Sequence, residues 1–147
     1  MTLSEWAAQH KDEAIAEATN SKEIQNLLAV VDRELQDAAT GSTDGRFMNA
    51  FWACLTVARI ALRANGFRPR SVAHHYRVIE SLEYTLRLDS ERIRRLQAYR
   101  AKRARAEYEM ADIISDAEFR EALQFAQDLR QALLSWLQAE HPDLLSA

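Results

Sequence analysis

Apolar residues recur at spacings of three and four along most of the chain, the pattern of helices that bury one face. After Asn20-Ser21-Lys22-Glu23, the residues Ile24, Leu27, Leu28, Val31 and Leu35 form one stripe, and Asn20 and Glu23 have the spacing of a capping box. Gly41 to Gly45 breaks that helix. The next one, about Arg46 to Asn65, is apolar on most sides, with Phe47, Phe51, Trp52, Cys54, Leu55, Val57, Ile60 and Leu62. Such a helix is central or lies at a subunit interface. Asn65-Gly66 is a stop signal, with Gly66 suited to a left-handed position. Pro69 then sits at the start of a fourth helix, about Arg70 to Leu86, burying Val72, Ile79, Leu82 and Leu86. A fifth runs from Asp89-Ser90 to about Glu109. Ser115-Asp116-Ala117-Glu118 is a second capping box, and the last helix carries Phe119, Leu123, Ala126, Leu129, Leu133, Trp136 and Leu137 before stopping ahead of Pro142. At the other end, Ser4 to about Ala18 reads as a weakly amphipathic helix, a peripheral element within residues 1–19. Short connections join antiparallel neighbours, so the expected fold is all-α: an up-and-down antiparallel helical bundle of five to six helices in a single domain over residues 1–147.

Composition narrows the classes. The 147 residues fit one domain, and three glycines with two prolines are too few for the turns of a sandwich or barrel. One cysteine, Cys54, allows no intramolecular disulfide and suits a reducing compartment. The acidic N-terminus has no signal pattern. The apolar stretch Phe47 to Leu62 carries Asn49 and Arg59 and is too short to span a bilayer. A soluble, cytoplasmic chain with no membrane partner is expected. No GxGxxG, P-loop, HExxH, GxSxG or Cys/His cluster is present, so no cofactor and no metal is expected.

Charge adds more. The formal net charge is −3, but 13 Lys/Arg and 4 Asp/Glu lie between Arg59 and Arg105, and Arg87 to Arg105 holds eight basic residues against Asp89 and Glu91. Either an anionic partner, first of all nucleic acid, meets this segment, or acidic helices of the same bundle neutralise it. The residues of this kind are Arg68, Arg70, Arg95, Arg100, Lys102 and Arg105. Within the fourth helix, His74-His75 follows Arg68 and Arg70, with Tyr76 adjacent. His75 lies on the apolar stripe, where a hydrogen-bonded core histidine is the plainer reading. Its alternative is an acid or base beside arginines that hold a phosphate. Arg100, Arg103 and Glu107 share one helix face, Glu107 can pair with Arg103, and Tyr99 and Tyr108 flank them as stacking surfaces or as core.

Arg100 to Leu137, RAKRARAEYEMADIISDAEFREALQFAQDLRQALLSWL, and Gly66 to Leu82, GFRPRSVAHHYRVIESL, resemble HEPN domains over roughly Lys22 to Leu137. These are small all-helical domains with an Arg-rich helix end, a short loop and a long final helix. Ribonuclease members carry Arg-Asn-xxx-His, often followed by x-Tyr. Arg103 matches the arginine, whereas Ala104, Tyr108 and Met110 stand at the other three positions. The resemblance implies a dimeric RNA- or nucleotide-binding protein of a toxin–antitoxin or defence-type module. Its RNase activity would be weakened or absent, and its partner a nucleotidyltransferase or antitoxin. The residues placed at the site are Arg103, His75, His74 and Tyr108. An alternative is an active metal-independent endoribonuclease using arginine plus His74 or His75, since Arg68 precedes His74, and Arg70 His75, at the spacing of an Arg-x(4–6)-His motif. A further alternative is a non-catalytic protein-interaction bundle.

Overall fold

A computed structural model describes residues 1–71 and 75–146. Six α-helices are present among them: α1 (Leu3–Gln9), α2 (Ser21–Asp37), α3 (Thr43–Ala64), α4 (His75–Glu80), α5 (Ser90–Tyr108) and α6 (Asp116–Glu140). A 3-10 turn follows α4 at Ser81–Glu83 and another closes the chain at Pro142–Leu145. The architecture is the expected all-α bundle, with one addition. Two three-residue strands, β1 (Ala14–Ala16) and β2 (Phe67–Pro69), pair antiparallel with Ile15 opposite Arg68.

Helix α3 is the axis. It packs along α2 and α6 and, over shorter stretches, against α5 and α4. Phe51, Val57, Ala58, Ile60 and Ala61 are wholly buried with Val31, Ile79, Leu82, Leu96, Leu133 and Leu137 in one core cluster. Each fully buried aliphatic side chain contributes roughly 1.5–3 kcal/mol relative to exposure. Most of the apolar character of α3 is therefore consumed inside the chain. A smaller cluster of Phe47, Ile114, Phe119 and Ala122 closes one end.

Caps fix the helix starts. Ser42, Asp89 and Ser115 each accept a first-turn backbone N–H, and Ser115 with Glu118 forms the full capping box. At α2 only half of the expected box forms. Asn20 Oδ1 accepts from Glu23 N at 2.9 Å, but the Glu23 carboxylate turns away to the Thr19 hydroxyl and Arg63. A charged donor is the stronger attraction. Gly66 adopts φ +86° as expected, reversing the chain after α3.

Two helices are shorter than their periodicity suggests. α1 ends at Gln9 and not near Ala18, because Ala14–Ala16 satisfies its backbone by pairing with β2. The N-terminal segment is also less peripheral than expected. Trp6 is 1% exposed, donates from Nε1 to Glu80 at 2.8 Å and packs with Ala7, Ala14 and Leu62. α4 does not start at Arg70, because Pro69 holds that stretch extended in β2; its described residues are His75–Glu80, and Val72, expected on its buried stripe, lies outside the described residues. The helix loosens after Glu80, where Ser81 and Thr85 hydroxyls donate back to the carbonyls of Val78 and Ser81. Arg87, at φ +57°, then turns the chain toward α5.

Candidate functional site

A groove of about 720 Å³ opens between α4 and α5. One wall is formed by His75, Tyr76 and Arg77 of α4. The other is a face of α5 carrying Arg100, Arg103, Glu107 and Tyr108. Spacings of three and four put the first three of these on one side of that helix. Trp52 from α3 and Glu13 from the turn before β1 complete the lining.

Arg103 is the most buried charge here. Its side chain is 9% exposed, and Nη1 donates to Glu107 Oε2 at 2.5 Å. The guanidinium carbon lies 4.9 Å from the centre of the Trp52 ring and 5.5 Å from that of Phe51, a cation–π setting. Its Nε is buried with no hydrogen-bond partner. The two aromatic faces account for that arrangement, since a ring face is a weak acceptor for N–H. The opposite flank of the groove meets the same indole: His75 contacts Trp52 edge-on, with ring centroids 5.4 Å apart.

Arg100 is bound differently. Its Nε donates to Gln97 at 2.9 Å, and Gln97 in turn donates to the carbonyl of Tyr76 at 2.9 Å. No carboxylate among the described residues pairs with Arg100. Tyr76, 48% exposed, has Arg77 and Arg100 at 5.4 and 5.5 Å from its ring centre. Arg77 is held in place by Glu13 at 2.9 Å and Glu80 at 3.0 Å. Tyr108 is 76% exposed at the mouth. Two exposed aromatic rings beside an arginine without a carboxylate can stack unpaired bases and neutralise a phosphate.

Four of the residues anticipated from sequence thus converge: His75, Arg100, Arg103 and Tyr108. The others do not join them. Arg95 turns to α6, donating to Glu121 at 2.7 Å and to Tyr99 at 3.4 Å. Burial and donation to Glu121 push the Tyr99 phenol up to about 12, and Glu121 is held below its ordinary range by the Tyr99 and Arg95 hydrogen bonds. Lys102 pairs with Glu118 at 3.0 Å. These two are neutralised inside the bundle, the plainer of the two readings of the basic run. Arg105 lies on an exposed face beside Glu109. Arg68 pairs with Glu17, and it and Arg70 line a separate cavity. His74 lies outside the described residues.

Trp52 lies on the apolar helix read from the sequence as central or at a subunit interface, and no pattern in the sequence marks Glu13. Arg77 follows His75 and Tyr76 in the chain, and that adjacency was the available clue. Among the described residues no group of three or more His, Cys, Asp or Glu side chains is placed to hold a metal ion. None of their helices is long and apolar enough to cross a membrane. No family model, no curated protein and no solved structure matches this chain.

Proposed function

We propose that the chain binds RNA or nucleotides in the α4–α5 groove, as a HEPN-like domain of a toxin–antitoxin or defence-type module with weak or absent cleavage. One observation carries the binding: Arg100, without a carboxylate partner, beside the half-exposed ring of Tyr76. The module rests on the sequence resemblance alone. Weak cleavage follows from Arg103, the arginine that matches the family motif. It is paired with Glu107 and packed on Trp52, so it gives little charge to a phosphate in the groove.

The test is fluorescence anisotropy with a 5′-fluorescein decauridylate. Replacing Arg100 with alanine is expected to weaken binding at least about fivefold, the low end for a lost arginine contact. An unchanged affinity in a folded Arg100→Ala variant would overturn the reading.

A second reading has its own support, because His75 shares the groove with Arg100 and Arg103. In it the ribose 2′-oxygen attacks phosphorus and the 5′-oxygen leaves, with His75 accepting or supplying the proton. Cleavage in EDTA that disappears in His75→Ala is expected of this chemistry. Cleavage that persists would remove His75 from it.

A further inference from the structure

A second basic cavity, of about 300 Å³, is lined by Arg59, Arg63, Arg68 and Arg70 around Glu23. Two of its arginines are occupied. Arg63 donates to Glu23 and to the carbonyls of Glu17, Ala18 and Phe67, while Arg68 pairs with Glu17. The other two differ: among the described residues, Arg59 and Arg70 make no direct ion pair and no side-chain hydrogen bond, although Arg59 lies near enough to Glu23 and Glu34 for its charge to favour their ionised forms. Among the described residues, no Phe, Tyr, Trp or His side chain lines this cavity. It offers cationic contact without stacking.

This cavity is adjacent to the groove. A small enclosed space of about 110 Å³ has Trp52 and His75 among its walls, which also line the groove. Its remaining walls include Arg59, Pro69 and Ser71, which also line the arginine cavity. The three spaces share walls in series along the start of α4. Stacking surfaces stand at one end of the series, and at the other stand two guanidiniums with no direct hydrogen-bonded carboxylate, Arg70 being the more exposed. A mononucleotide fills only one of these ends. A single strand, with bases free to stack and a phosphate at every step, matches both.

We infer that the ligand is a single-stranded RNA of several nucleotides that runs from the α4–α5 groove past His75 to Arg59 and Arg70. This rests on the nucleic-acid reading of the groove, and the experiment separates the two. Decauridylate binding is followed as a function of salt, with unlabelled triuridylate and a ten-base-pair duplex as competitors. The Arg59→Ala/Arg70→Ala double variant is expected to bind the decamer more weakly, with a salt slope lower by about 1.4, or roughly sevenfold less affinity lost between 50 and 200 mM salt. Competition by the trimer is expected to be unchanged, and the duplex to compete poorly. Arg70 is exposed, so Arg70→Ala alone gives the same direction with about half the change in slope, independent of any effect of Arg59 on folding. An unaltered decamer affinity and slope in these variants, alongside a loss in Arg100→Ala, would overturn the extended path and keep the groove. Equal competition by the duplex would overturn the single-stranded assignment. Absence of decamer binding to the native protein would overturn both.

Discussion

Replacing Glu107 by glutamine should move affinity and stability in opposite directions. Glu107 lines the groove with one oxygen committed to Arg103, and its side chain is 35% exposed. The groove residues Arg77, Arg100, Arg103, Glu13 and Glu107 carry three positive and two negative charges, so the substitution raises that balance by one. A phosphate about 6 Å from the lost carboxylate, at an effective dielectric of about 40–80, gains roughly 0.7–1.4 kcal/mol, or about 3- to 10-fold in affinity. Stability falls, because Arg103 is nine-tenths buried and keeps only a neutral acceptor. Exposed pairs contribute about 0.2–1 kcal/mol and a broken buried pair costs about 3–5, so this half-open pair is worth about 1–2 kcal/mol. For a chain of this length that is a fall of roughly 2–8 °C in Tm. Anisotropy with decauridylate at 50 mM salt and thermal unfolding of the same samples read both quantities. Weaker or unchanged binding by a folded Glu107→Gln protein refutes the reasoning, for it would place the ligand phosphate away from this face of α5.

Three further expectations concern the scaffold. Arg63→Met removes a guanidinium that is 5% exposed and ties α3 to the β1–α2 connection and β2; the expected loss is about 3–5 kcal/mol, read from urea unfolding. Glu34 is pushed above the ordinary carboxylate range by burial, against the hydrogen bond it accepts from Thr56 at 2.7 Å. The folded state therefore holds its proton more tightly than the unfolded one, and its contribution is present at low pH and lost as pH rises through the folded value. Glu34→Gln should raise Tm at pH 7, with the gain shrinking toward pH 4; a gain independent of pH would contradict this. Burial pushes the Cys54 thiol up, so it should resist alkylation until the protein unfolds, and rapid labelling of the native protein would show the core open.

The bundle was legible because its helices are locally consistent. Asn20, Asp89 and Ser115 supply caps that the folded chain uses, and Gly66 takes its left-handed place; α3 starts at Thr43, inside the expected break at Gly41 to Gly45, because Ser42 caps it. The errors are where tertiary pairing overrides periodicity. Ala14–Ala16 and Phe67–Pro69 are too short for alternation to register, and each is a strand only because the other is beside it. Arg63 stands on an apolar helix with no local pattern to mark it, although its charge organises the junction of three elements. At the site, the face of α5 and the position of His75 were separately readable from spacing. Their meeting across Trp52 depends on how α4 and α5 pack on α3, and no local pattern encodes that.

Helix geometry explains why the basic run divides. At about 100° per residue, Arg95 and Lys102 point within about 20° of each other, whereas Arg100 lies roughly 140° round from Arg95. The first direction meets Glu118 and Glu121 on α6; the second meets α4. Eight basic residues between Arg87 and Arg105 therefore overstate the charge a ligand encounters. Along the inferred path, the arginines without a direct carboxylate partner among the described residues are Arg59, Arg70 and Arg100. Single-stranded binding changes by about 0.7 in log K per log salt for each phosphate neutralised, so three contacts give a slope of about −2 and eight give about −6. A decauridylate slope near −2 is expected. A slope of about −3.5 or steeper, five contacts or more, would mean that Arg95 and Lys102 leave their carboxylates on binding, and the division of α5 into a neutralised face and an open one would be wrong.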